Sequence, residues 1–331
     1  MRYVLGVDGG SSKTHALVLE ETGAARGFGQ AGCGNHQIFG LEHALVEIDR
    51  AVRAAVAMAG IHGDPVDDAC YCLAGADFPE DYARLQEALQ VIYPARAVRV
   101  KNDTLAAMRA GLSRPWGVVV ICGTGFNAAG RAPDGREIVL PGLGPISGDW
   151  GGGAALSQEM IRLVMRAWDG RGEPTLLTQL VLRELAVPTV ETLLLKLYHH
   201  EIEERRLLEL TPLLFEAAEA DDGPACELVV RMGMEVGVTA RALIRRLGLQ
   251  QTDVEVILGG SVFKGKGHLL TDTVAQEVRR EAPMAKIVRP RYEPVVGAAL
   301  IALEAMGVDI DERIRSRLDE TLPKELIVVT E

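Results

Sequence analysis

The 331-residue sequence predicts an α/β protein of two related halves, 1–114 and 115–331, with a helical block at about 155–248 inserted in the second. Three observations predict it. Strand-like and helix-like segments alternate from the N-terminus through residue 113. At Pro115 the scheme restarts with the same order of strand, Gly-rich turn and strand. Between about 155 and 248 the pattern is almost wholly helical.

The opening stretch "YVLGVDGGSSKTHALVLEETG" reads as an apolar strand, a tight turn from Asp8 to Thr14, and an alternating strand from His15 to Leu19. "EHALVEIDRAVRAAVAMAG" has helical spacing and ends in Gly60. "DDACYCLAGAD" then reads as a strand into a turn, and "PEDYARLQEALQVIY" as a helix with Pro79 in its first turn. "RAVRVKND" is a strand that leads into a helix at "TLAAMRAGL". In the second half, "WGVVVICGTGFNAAGRA" repeats the strand, turn, strand pattern, and the helical block follows. The α/β pattern returns with "VEVILGGSVF", a helix through "LLTDTVAQEVRREA", the strand "AKIVRP", and a last helix, "PVVGAALIALEAMG".

The bulk numbers restrict the partners. A net charge of −11 argues against nucleic acid, because phosphate backbones are bound by clustered Lys and Arg. No uncharged apolar stretch approaches membrane-spanning length, and Met1-Arg2 runs directly into a strand without an apolar leader. The expectation is a cytoplasmic protein with a small polar ligand, no nucleic acid and no membrane. The five cysteines, Cys33, Cys70, Cys72, Cys122 and Cys226, are scattered and suit reduced thiols. Cys70 and Cys72 share a strand face, yet no further ligands follow at zinc spacing. "HHEIEERR" at 199–206 reads as a solvated helix face.

Three Gly-rich turns carry the chemistry. "GSSKT" fails as a P-loop, since Val7 and Ser12 stand where that motif needs glycines and a strand follows instead of a helix. A hairpin turn can still aim backbone N–H groups of Gly9 and Gly10 and the hydroxyls of Ser11, Ser12 and Thr14 at phosphate oxygens. Lys13 would add charge, and Asp8 would hold a hydrated magnesium ion (Mg2+). An ordinary hairpin turn explains the same residues. In the second turn, Gly123 and Gly125 permit close approach around Thr124. The third, "LGGSVF", follows a strand and opens a helix where Gly260 and Ser261 would admit the adenosine part of a nucleotide.

Two carboxylates sit where ligands collect. Asp103, in "VKNDTLAA", stands between a strand end and a helix start, where either it or Asn102 would also serve as N-cap. Asp149, in "SGDWGGGA", stands among Gly142, Gly144, Gly148, Gly151 and Gly152, and it too would serve as a cap for the helix that follows.

Taken in order, "GVDGGSSKT", "GNHQIFG", "CLAGAD", "VKNDTLAA", "ICGTGFNAAG", "SGDWGGGAAL", "LGGSVF" and "PVVGAALIAL" resemble the N-acetylglucosamine kinase-like branch of the BadF/BadG/BcrA/BcrD ATPase family, within the actin-like ATPase superfamily. The resemblance implies two actin-like (ribonuclease H-like) lobes, ATP with magnesium as cofactors, and transfer of the γ-phosphoryl group to a hydroxyl, O6, of an amino sugar held between the lobes. It implies that lobe closure excludes water, so that ATPase activity without sugar is low. By the same resemblance Asp103 is the general base and Asp8 the magnesium-associated carboxylate. Gly9, Gly10, Ser12 and Thr14 form one phosphate turn, Thr124 and Gly125 a second, and Gly260 and Ser261 hold adenosine. Asn35, Asn127, Gly142, Leu143, Gly144 and Asp149 match sugar-contacting positions, and a homodimer is implied. The sequence departs from the pattern at Phe126, Gln37 and Leu143. The first stands where relatives carry Ser and the other two where eukaryotic relatives carry Trp, so the sugar pocket is expected to be reshaped. N-acetylglucosamine is the first expected substrate, with glucosamine and N-acetylmuramic acid as alternatives. The rival within the superfamily is the ATPase that activates 2-hydroxyacyl-CoA dehydratases or benzoyl-CoA reductases through a cluster-binding Cys. Here Cys122 falls in an apolar strand and Cys226 in the helical block. Two further readings are a sugar-responsive regulator without turnover and an actin-like assembly protein. Asp103 and the sugar-matching segments argue against them.

Overall fold

The structure is a computed structural model that describes residues 1–61 and 63–328, the side chain of residue 204 aside. The elements run β1 (Tyr3–Gly9), β2 (Thr14–Glu20), β3 (Ala25–Ala31), α1 (His36–Phe39), α2 (Leu41–Ala59), β4 (Asp68–Leu73), α3 (Pro79–Leu89), β5 (Val98–Asn102) and α4 (Asp103–Gly111). There follow β6 (Gly117–Cys122), β7 (Phe126–Arg131), β8 (Glu137–Val139), α5 (Gly152–Trp168), α6 (Leu177–Glu184), α7 (Val190–Tyr198), α8 (Glu204–Leu208), α9 (Thr211–Glu219) and α10 (Gly223–Leu247). The chain ends with β9 (Glu255–Gly259), α11 (Leu269–Arg279), β10 (Lys286–Val288), α12 (Pro294–Ala305) and α13 (Glu312–Thr321).

Two five-stranded sheets have the same relative strand order, β3-β2-β1-β4-β5 and β8-β7-β6-β9-β10. The loose echo between the two Gly-rich hairpins thus reflects one topology used twice. In the first sheet β2 runs antiparallel to β1 and β3, while β4 lies parallel to β1 and β5 parallel to β4. Its inner strands β2, β1 and β4 are buried on both faces. Leu5, Val7, Ala16 and Val18 pack with Ile48, Val52 and Val56 of α2 and Leu85 and Leu89 of α3. Val4, Leu17 and Leu19 pack on the other side with Ala106 of α4 and Val295 to Leu303 of α12. Alternation of the strand residues between two covered faces is why these runs read as continuously apolar.

The compact units are not simply consecutive. One comprises Met1–Val119, Ala129–Val139 and Val288–Glu331, the other Val120–Ala128 and Leu140–Ile287. The tail returns to the first unit because α12 lies against that unit's own elements. A methyl on Gly297 would sit 1.9 Å from the Ala106 carbonyl oxygen, so α12 and α4 touch backbone to backbone. The division at residue 114 assigns this tail to the second half.

Four elements are absent from the sequence reading: β3, α1, β8 and α13. In β3, Gly27 and Gly29 give a turn-like signature, but their reason is packing. A methyl at either would lie about 2 Å from the carbonyl oxygen of Ala55 or Ala51, so α2 rests directly on the strand. The long helical segment from residue 190 divides into α7, α8 and α9, with His200 at a positive φ of 55° between the first two. The turn after β9 opens a 3-10 turn, Ser261–Lys264, and not an α-helix. All five cysteines are free, and Cys70 and Cys72 stand with sulfurs 3.7 Å apart inside β4.

Candidate active site

In the first unit, the carboxyl ends of β1, β4 and β5 and the N-terminus of α12 bring four carboxylates into one electrostatic neighbourhood. Asp8 is the penultimate residue of β1, paired across the sheet with His15 and Cys72. Burial first, then the charges of Asp103 and Glu293, push its carboxyl up to about 8, with Lys13 pulling the other way. Glu293 is the N-cap residue of α12 and lies 3.4 Å from the Lys13 ammonium. Its contribution has no local sequence signal, because Glu293 stands 280 residues along the chain from Lys13.

Asp103 is the first residue of α4, and the cap is not its task. Asn102 caps the helix, its Oδ1 accepting from the Thr104 amide at 3.0 Å. The Asp103 carboxylate is left for other work. Burial and then the Asp77 charge hold it up to about 6, against the amides of Thr104 and Asp103 itself. A carboxyl group titrating near neutrality beside further carboxylates is the environment expected of a proton acceptor.

The first Gly-rich turn is a four-residue loop closed by Gly10 N–H donating to Lys13 C=O at 3.0 Å. Ser11, Ser12 and Lys13 are exposed, but Thr14 is fully buried and its hydroxyl donates to the Gly32 carbonyl at 2.8 Å. Thr14 therefore ties the turn to β3, while Ser11 and Ser12 present their hydroxyls at the surface. Asn35 caps α1, accepts from the Gln37 amide at 2.9 Å and donates to Ser11 Oγ at 3.1 Å. Gln37 reaches the loop after β4 through Gly75 and Asp77.

In the second unit a cleft of about 280 Å³ is lined by Gly123, Thr124, Gly153, Ser261, Lys264 and, from α8, α9 and the turn between them, Glu209, Thr211 and Phe215 among others. It brings together Thr124 and Ser261, two of the residues singled out for nucleotide binding. It adds Lys264, Glu209, Thr211 and Phe215, whose closeness to the Gly-Thr-Gly turn is tertiary and leaves no trace in the local pattern. The turn is fixed by α5, whose Gly153 and Ala154 amides donate to the carbonyls of Gly123 and Thr124 at 2.7 and 3.0 Å. Gly125 stays exposed. Gly260, at φ 98°, passes so close to the end of β6 that a methyl there would lie 2.3 Å from the Cys122 carbonyl oxygen.

The remaining residues of interest in this unit serve its loop structure. Asp149 accepts from the Gly144 amide at 3.1 Å and from the Ser147 hydroxyl at 2.5 Å, so it braces the turn before it; α5 has Gly151 at its N-cap position and no side-chain cap. Asn127 accepts from the Ala128 amide at 2.8 Å, and Gly142 lies close against its side chain. Leu143 is half-exposed. Phe126 is buried and faces Gly151, where a methyl would be 2.6 Å from its ring, so its bulk is directed into packing.

A repeated α/β sheet with clustered carboxylates at its strand ends and a Gly-lined cleft on the second sheet has the features of a nucleotide-dependent phosphotransfer fold. The chain belongs to the BadF/BadG/BcrA/BcrD ATPase family, whose model matches residues 5–302. It is similar to an N-acetyl-D-glucosamine kinase of Dictyostelium discoideum, 26% identical over 91% of this chain and 98% of that one. An N-acetylmuramic acid/N-acetylglucosamine kinase of Clostridium acetobutylicum is also 26% identical, over 91% of this chain and 98% of its own length. The same fold is found in the solved structure of a proposed N-acetylglucosamine kinase from Chromobacterium violaceum, with TM-score 0.68, 23% identity, and 91% and 99% of the two chains covered.

Proposed function

We propose that this protein is an ATP-dependent kinase that transfers the γ-phosphoryl group to a hydroxyl, O6, of an amino sugar, with N-acetylglucosamine as the first substrate. The observation that carries the proposal is Asp103: its helix is capped by Asn102, and its carboxyl is held at about 6. Ionised at neutral pH and still basic enough to take a proton, it fits the base that activates the acceptor hydroxyl.

The sugar oxygen attacks the γ-phosphorus as its proton passes to Asp103. The new O–P bond forms while the bond from phosphorus to the bridging β-oxygen breaks, and ADP leaves with that electron pair. Asn35 orients the sugar. Gly10, Ser11, Ser12 and Lys13 face the phosphates, and in doing so Lys13 exchanges Glu293 for phosphate oxygens. In the second unit Thr124, Gly125, Gly260, Ser261 and Lys264 receive the nucleotide, and Asp149 keeps the Gly144–Ser147 turn in shape for the sugar.

Asp8, with Glu293 near it, fits a hydrated magnesium ion. The donors are carboxylates alone, and burial, then the charges of Asp103 and Glu293, push the Asp8 carboxyl up to about 8, against the pull of Lys13; among the described residues no group of three or more His, Cys, Asp or Glu side chains could hold a metal ion directly. Such an ion supplies charge neutralisation on the transferring phosphoryl group. The proposal extends to a cytoplasmic homodimer. The free thiols fit a reducing compartment, and Leu195 and Tyr198 on α7 expose apolar surface. Among the described residues no helix is long and apolar enough to cross a membrane.

The test is ADP release from magnesium-ATP across a panel of hexoses, amino sugars and N-acetyl sugars. Release that depends on an amino sugar supports the reading; equal release with no sugar at all removes it.

A further inference from the structure

Asp77 lies in the loop after β4, and the transfer as described gives it no part. Its Oδ1 accepts from Asn102 Nδ2 at 2.9 Å and its Oδ2 from Gln37 Nε2 at 3.3 Å. These two amides belong to different segments of the site. Asn102 is the cap of α4 and immediately precedes Asp103; Gln37 stands two residues after Asn35 and donates its own backbone amide to the Asn35 side chain. The loop that carries Asp77 is itself tied down. Asp81 accepts from the amides of Asp77 and Phe78 at 3.3 and 3.0 Å, and the Asn102 Nδ2 also reaches the Ala76 carbonyl at 3.2 Å.

We propose that Asp77 is a positioning residue for the transfer: one carboxylate oxygen fixes Asp103 through Asn102, and the other fixes Asn35 through Gln37. The assignment rests on the kinase reading above. It also rests on donor and acceptor arithmetic, since both partners present N–H groups and only a side chain with two acceptor oxygens receives both. An Asn at this position accepts from one and sets its own N–H2 against the other. Burial holds the Asp77 carboxyl above its ordinary range, with Asp81 adding to the rise and the Gln37 and Asn102 bonds and His36 opposing it. A half-buried carboxylate is an expensive way to close a turn that an uncharged residue would close as well. Its charge also acts on Asp103, which has Asp8 on β1, Asp77 in this loop and Cys72 on β4 as its titratable neighbours.

The test is a cycle of Asp77→Asn, Asn102→Ala and the double variant, with kcat and both KM values measured on the sugar that the wild type phosphorylates. Asp77→Asn is expected to lower kcat by about 10-fold or more while the ATP KM stays within about twofold, because a misaligned base loses rate before it loses nucleotide binding. In the Asn102→Ala background the same substitution is expected to cost less than about twofold in kcat, since the Asn102 link is already gone and the one amide oxygen left at position 77 can still accept from Gln37. An unchanged kcat, or an equal loss in both backgrounds, overturns the proposal. If the wild type phosphorylates no sugar, the kinase reading falls and amide hydrogen exchange decides the positioning claim. Faster exchange of the Thr104 amide in Asp77→Asn supports the link to the α4 cap, and unchanged exchange overturns it.

Discussion

Replacing Asp103 by Asn separates a proton acceptor from a helix cap, because the two roles move activity and stability in opposite senses. The carboxyl titrates at about 6 in the folded protein against an ordinary 3.8. A folded value above the unfolded one means that this group's stabilising contribution is full below pH 3.8 and is lost as pH rises through about 6. At pH 8 the ionised carboxylate therefore weighs against the fold, by at most about 3 kcal/mol for a shift of about two units, and by less because the group is partly solvated. At about 2.1 cal/mol/K of unfolding entropy per residue, this chain changes Tm by about 1.4 °C per kcal/mol. Asp103→Asn at pH 8 is thus expected to raise the melting temperature by up to about 4 °C, and at pH 4 to leave it nearly unchanged. The same substitution is expected to lower kcat by about 10² to 10⁴, the usual worth of a general base. In the wild type, kcat/KM is expected to fall as pH drops through about 6 and Asp103 takes up its proton. The assays are a thermal melt at the two pH values and steady-state ADP release. A lower Tm at pH 8 with activity retained would refute the reasoning and return Asp103 to a capping role.

Thr14→Val should cost about 1–2 kcal/mol of stability through the orphaned Gly32 carbonyl while leaving the ATP KM within about twofold. A tenfold rise in that KM would restore Thr14 to the phosphate turn. Asp8→Asn is expected to raise the Tm of the ligand-free protein at pH 8, where the wild-type carboxyl is partly ionised, with little difference at pH 4; it should also abolish the additional stabilisation by magnesium-ATP over ATP alone. A melt that shows the same magnesium increment in both proteins would contradict this. Gly297→Val places three carbons where one already meets the Ala106 carbonyl at 1.9 Å, and it is expected to remove soluble, cooperatively melting protein. A variant with wild-type Tm would show that α12 and α4 are not in backbone contact.

The legible parts of this fold are those where local pattern and tertiary role agree. β1, β4 and β6 have apolar runs bounded by turns, β5 alternates Val98 and Val100 with charged residues, and α2 ends on Gly60 in the left-handed conformation. β3 was hidden because Gly27 and Gly29, which read as loop signals, are there to admit the backbone of α2. The helix α13 was hidden by polarity: of ERIRSRLDET only Leu318 is buried, so no apolar stripe exists to be read. The site divides in the same way. Asp8 and Asp103 stand beside turns and strand ends that mark them, whereas Glu293 and Lys264 enter through contacts that no local spacing encodes. Thr14 is a different case: its hydroxyl beside a Gly-rich turn looks available in the sequence, while in the structure it donates to the Gly32 carbonyl.

The most direct test of the central claim is phosphorus and proton NMR of the products formed by the wild-type protein from magnesium-ATP and N-acetylglucosamine. One sugar 6-phosphate for each ADP is the expected result. Inorganic phosphate as the only phosphorus product besides ADP, formed at one rate with or without any amino sugar in the panel, would contradict it.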